Sequence, residues 1–202
     1  ELSLLHECRD FKIAVADGGI TQRDGTNITA FKDLSLQTTS DIVLSQLFTE
    51  DGAVTLNAGT MGRILDGTDT ELANIVGTSA KTSVSFTGLS VGEKRIEGGE
   101  NVADIDLAIG RVTSIDGGAE GIYLDAETAL DLGRVAITGE LEVQVRSGDL
   151  ILSGDQTALR AKIDVDAGAM LQQDGVTLTT TGVAGQTGSG NVVIKTLRDI
   201  AI

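Results

Sequence analysis

The sequence predicts an all-β protein, a parallel β-solenoid of short strands, with an antiparallel β-sandwich as the alternative. Three observations point there. Apolar and polar residues alternate in short triplets along most of the chain, the period-two pattern of strands with one buried face. Asp-Gly pairs, which favour turns, lie between the triplets. Bulky side chains are scarce: 202 residues include four Phe, one Tyr, no Trp and no Pro, beside 26 Gly. Sandwiches draw on aromatic anchors, whereas a narrow stack of coils is filled by repeated small and branched side chains. The core is therefore expected to be aliphatic. A hydrophobic share of 41% is too high for a disordered chain.

Residues 1–11 stand apart from the triplets. The stretch from Leu2 to Phe11 carries weak helical signal and reads as an N-terminal cap over an open coil, or as a segment that pairs with a neighbouring subunit. Residues 12–202 read as one solenoid. Triplets begin with Ile13-Ala14-Val15 and recur as Ile28-Thr29-Ala30, Ile42-Val43-Leu44, Val54-Thr55-Leu56 and Val84-Ser85-Phe86. A second helical hint, Asp69 to Val76, reads as an excursion. From Ile105 the triplets start at 105, 122, 135, 150, 163, 176 and 192. Steps of 13 to 17 residues leave two coil lengths open, about 14 or about 28. Such periods, with units too small to bury their own faces, mark stacked solenoids.

The pairs Asp17-Gly18, Asp24-Gly25, Asp51-Gly52, Asp66-Gly67, Asp116-Gly117 and Asp174-Gly175 are read as corners that supply positive φ. Gly182 to Gly190 reads as a flexible corner; a nucleotide-binding loop would need a following Lys. Val192-Val193-Ile194 and Ile200-Ala201-Ile202 continue the strand pattern without a polar cap. The solenoid is therefore expected either to continue beyond residue 202 or to pair end to end with another subunit.

Charge excludes some partners. Thirty acids against 15 bases give a net charge of −15 and a pI near 4.3, unsuited to neutralising phosphates, so nucleic acid is not expected as a partner. An acidic surface also repels anionic lipid, and without an apolar run of about 18 residues no membrane insertion is expected. No basic leader with a small-residue cleavage site opens the chain, which reads as a mature or excised piece, or as intracellular.

Candidate site residues are few. Cys8 is the one cysteine, so no intramolecular disulfide forms. His6 is the one histidine; a catalytic pairing with Cys8 would join neighbours two apart, and packing explains them better. Zinc would need further Cys or His. Asp104 and Asp106, Asp125 and Glu127, Glu140 and Glu142, and Asp164 and Asp166 are spaced to project in pairs from one strand face. Stacked, they could serve as glycosidase carboxylates or as calcium ligands. Without accompanying aromatic residues they read instead as a solvated outer face. Neither tandem Gly-Gly-x-Gly-x-Asp units nor an EF-hand loop occurs. Asn27-Ile28-Thr29 matches a glycosylation sequon, but Ile28 reads as core. No catalytic, cofactor-binding or metal-binding residue is assigned, no cofactor is expected, and the chain reads as non-enzymatic.

Gly148-Asp149-Leu150-Ile151-Leu152-Ser153-Gly154, Ile163-Asp164-Val165-Asp166-Ala167-Gly168, Gly190-Asn191-Val192-Val193-Ile194 and Asp199-Ile200-Ala201-Ile202 resemble the repeats of filamentous-haemagglutinin-like bacterial exoproteins. The resemblance covers residues 105–202 best. It implies a right-handed parallel β-helix, an extracellular or bacterial cell-surface location, and a structural or adhesive role as filament subunit or stalk. The resemblance names no ligand; the uncapped strand edges lead one to expect other copies of the chain as partners, joined end to end, and an adhesive surface leads one to expect host or matrix glycans. Two alternatives belong to the same style of repeat. One is a carbohydrate-active β-helix, glycosidase or lyase, using acids such as Asp164 and Asp166. The other is a phage tail-spike or fibre segment, which would be trimeric.

Overall fold

Alternating β-branched and polar residues favour pleated, half-buried strands, and the chain forms little else. The structure is a computed structural model that describes residues 6–68, 72–94, 103–183 and 190–202. Among these residues there are 22 strands and no helix. Every strand pairing is parallel, which excludes the antiparallel sandwich and makes the chain a parallel β-solenoid.

Each coil is made of up to three strands, fused into fewer and longer ones midway along the stack. The first face stacks nine rungs: His6–Cys8, Asn27–Ala30, Gln46–Thr49, Ile75–Gly77, Ile105–Ala108, the end of Arg111–Ala126, Glu140–Val145, Arg160–Val165 and Val192–Thr196. The second runs through Phe11–Ala14, Leu34–Gln37, Ala53–Asn57, the start of Ser83–Val91, the start of Arg111–Ala126 and Leu130–Ile137. There it divides. One half continues through Leu150–Leu152, Met170–Gln172 and Ile200–Ala201, the other through Gln156–Ala158 and Leu178–Thr180. A third early face of Ile20–Thr21, Ile42–Leu44, Arg63–Asp66 and the end of Ser83–Val91 merges into the first face at Ile122. The corners therefore shift part-way along the axis. They shift where Arg111–Ala126 runs unbroken around the coil, bent by Gly117, Gly118 and Gly121 at φ of 103°, 57° and 119°. A side chain is strained in that left-handed region and glycine is not.

The common coil is neither 14 nor 28 residues but about 20, and 28 occurs only among the longer coils. Val112, Leu132, Leu152 and Gln172 stack at 20-residue spacing, and Ile20, Ile42 and Ile64 at 22. Other coils are longer: Leu47, Ile75 and Leu107 are 28 and 32 residues apart, and Val165 and Thr196 are 31 apart. Triplet spacing misled because the apolar triplets fall on different faces, while weaker strands such as Gln156–Ala158 carry little apolar signal. The inward columns are aliphatic, as expected: Leu34, Val54, Val84, Val112, Leu132 and Leu152 are buried in one line, and Phe86 is the one fully buried phenylalanine among the described residues.

Both helical hints fail where they can be read. His6–Cys8 is the terminal rung of the first face, paired with Asn27–Ala30, and Ile75–Gly77 is a strand; residues 1–5 and 69–71 lie outside the described residues. So do residues 184–189 of the Gly182 to Gly190 corner. The Asp-Gly pairs divide by cause. Gly18, Gly25, Gly117 and Gly175 hold positive φ. Gly52 does not; a Cβ there would stand 2.2 Å from the Lys32 carbonyl group one coil away, so close approach requires the glycine.

Candidate functional site

Outward residues on the first face stack into charged columns. Glu140 and Arg160 are register partners, as are Glu142 and Lys162, and Asp164 and Lys195. Each pair forms an ion pair between coils; Asp164 and Lys195 stand at 3.7 Å. Opposite charges directly across neighbouring rungs stabilise that register and penalise a slip. The reversal was legible as Glu140-Leu141-Glu142-Val143 followed 20 residues later by Arg160-Ala161-Lys162-Ile163. It was missed because the acids were read without the coil length.

The earlier acids do not form a solvated face. Asp106 and Asp125, register partners on adjacent rungs, are 2% and 1% exposed, and Asp104 is buried beside them. Arg146, one rung on, reaches back across both: its Nε lies 2.9 Å from Asp125 Oδ1 and an Nη 3.5 Å from Asp106 Oδ1. Buried carboxylates need such partners, because an unpaired charge out of water is costly. Asn74 anchors the same cluster. Its Oδ1 accepts the Asp106 backbone N–H at 2.9 Å, and its Nδ2 donates to Asp66 at 2.6 Å and to the Ser45 carbonyl at 3.2 Å.

The remaining candidates separate. Glu127 is half-buried at a corner beyond Asp125. Asp166 accepts a hydrogen bond from Gln144 at 2.9 Å. Cys8 is half-buried with its thiol 4.0 Å from the Thr29 carbonyl; the side chain of His6 lies outside the described residues. Asn27 opens a strand with its side-chain oxygen buried and without a partner, a poor position for a glycan.

Glu140 and Glu142 are the pair that lines a groove. They lie in a groove of about 400 Å³ on the outer first face, walled by Lys94, Arg160, Lys162 and Asn191. Its floor is the rungs Glu140–Val145, Arg160–Val165 and Val192–Thr196. Close by, the Glu93 N–H donates to the Ala103 carbonyl at 2.7 Å. Lys94 reaches Glu140 at 2.8 Å, and Arg160 pairs with the same carboxylate. Beneath them the Tyr123 hydroxyl donates to Glu140 at 3.4 Å. Burial, and then the Glu140 charge, push the Tyr123 pKa up from 10.0 to about 12.

A second recurring device escaped the sequence entirely. Asp33, Asp41, Asp149 and Asp155 each accept, through Oδ1, a backbone N–H from the next coil: Ala53 at 2.9 Å, Arg63 at 2.8 Å, Ala169 at 2.9 Å and Thr177 at 2.9 Å. These aspartates staple corners coil to coil. None precedes a glycine, so a search for Asp-Gly turns passes over them.

Comparison with known proteins finds no matching family model, no matching curated protein and no matching solved structure.

Proposed function

We infer that the chain is a non-enzymatic rod segment of an extracellular bacterial surface protein, a stalk or filament subunit whose outer faces make adhesive contacts. One observation carries this reading: the aliphatic columns run unbroken through successive coils, each coil held by the ones above and below. What such a stack delivers is a fixed distance and an ordered series of outer faces. Nine rungs on the first face, at about 4.8 Å per rung, span about 38 Å. The reading is tested on cells of the source organism. Antibodies against the chain label intact cells, and brief protease treatment removes the label; label seen only after permeabilisation overturns the surface role.

One observation favours a second reading, a carbohydrate-active β-helix: Glu140 and Glu142 share a groove with cations. Release of reducing ends from acidic polysaccharides, lost in Glu140→Gln, supports that reading, and silence across a broad panel removes it.

A further inference from the structure

The groove at Glu140 and Glu142 gathers three cations over two low-lying carboxylates. The carboxylates lie low, with side chains 16% and 19% exposed, while the cations around them stand out at 59% for Lys94, 54% for Arg160 and 48% for Lys162. On a chain of net charge −15, an approaching molecule meets cations first here, which focuses anionic ligands. The carboxylates beneath can only accept hydrogen bonds. A ligand seated in the groove therefore needs acidic groups for Lys94, Arg160 and Lys162, and hydroxyl donors for Glu140 and Glu142.

We propose that this groove binds an acidic oligosaccharide, a chain carrying carboxylates and vicinal hydroxyls on successive sugar units. Simple phosphate or an acidic polypeptide brings its acceptors against Glu140 and Glu142. The volume of about 400 Å³ falls within the roughly 300–1,000 Å³ typical of small-ligand sites. The charged ladder has two uses: it holds register where coils stack, and it offers exchangeable partners where the groove opens. The proposal rests on the adhesive reading and names a ligand for it.

The test is a titration of the isolated chain with trigalacturonate, read by the intrinsic fluorescence of Tyr123, which lies under Glu140. The expected result is a saturable change. Affinity falls by about tenfold in Lys94→Ala, a residue outside the inter-coil ladder, and by a similar factor in Arg160→Ala, with unchanged circular dichroism for both. Neutral maltotriose and poly-glutamate are expected to bind at least tenfold more weakly. No saturable response to millimolar trigalacturonate overturns the proposal, as does equal binding of poly-glutamate or unchanged affinity in both variants. Because the measurement uses purified chain, its failure leaves the cell-surface labelling result standing on its own.

Discussion

Tyr123 is the one tyrosine in a chain without tryptophan, so its ionisation is read from a single chromophore. Its folded pKa is raised to about 12 by burial and the Glu140 charge. A raised acid pKa leaves stability unaffected below the unfolded value near 10 and costs stability as pH rises from there towards 12. The tyrosinate absorbance of the folded chain is expected to titrate near 12, to move to about 10 in denaturant, and to fall part of the way in Glu140→Gln. Arg146 offers a sharper test. Arg146→Met leaves Asp106 and Asp125 opposed on adjacent rungs, and removing the half-exposed cation from two buried carboxylates costs about 3 kcal/mol, measured as a lower denaturation midpoint. Neither environment was legible in the sequence. Alternation rightly set Asp106 outward between Ile105 and Leu107, but the guanidinium that covers it comes from 40 residues further along the chain, and only the coil length brings the two together.

At the scale of an element, the corner joining the coils at Gly148 and Gly168 shows why small residues and aspartate recur. A Cβ on Gly168 would stand 1.8 Å from the Gly148 carbonyl oxygen, and the next residue's N–H reaches Asp149 Oδ1 at 2.9 Å. Gly168→Ala must push these corners apart and is expected to cost about 1–3 kcal/mol. Asp149→Ala removes the staple alone and costs about 1–2 kcal/mol; both are read by chemical denaturation. Acid weakens the corner held by Asp155. At Asp155 the Thr177 backbone N–H, and then its hydroxyl, hold the carboxyl below the ordinary 3.8. That contribution is present above the unfolded value and is lost as pH falls through the depressed folded one. The strands themselves were legible because Ile42-Val43-Leu44 and Leu150-Ile151-Leu152 bury their outer members. The period was not, because Gln156–Ala158 turns a glutamine and an alanine inward and leaves no apolar triplet to count.

At the scale of the whole molecule, nearest-neighbour stacking makes the solenoid a series of separately held coils along one axis. The direct measurement of this is single-molecule pulling from the two ends of the chain. Each released coil of about 20 residues, at roughly 3.3–3.6 Å per residue, lengthens the tether by about 65–70 Å. The three longer coils, at 28, 32 and 31 residues, lengthen it by about 100 Å each. The stack predicts a sawtooth built from these two step sizes. Release of the whole chain in one step would contradict it and would make the stack a single cooperative unit.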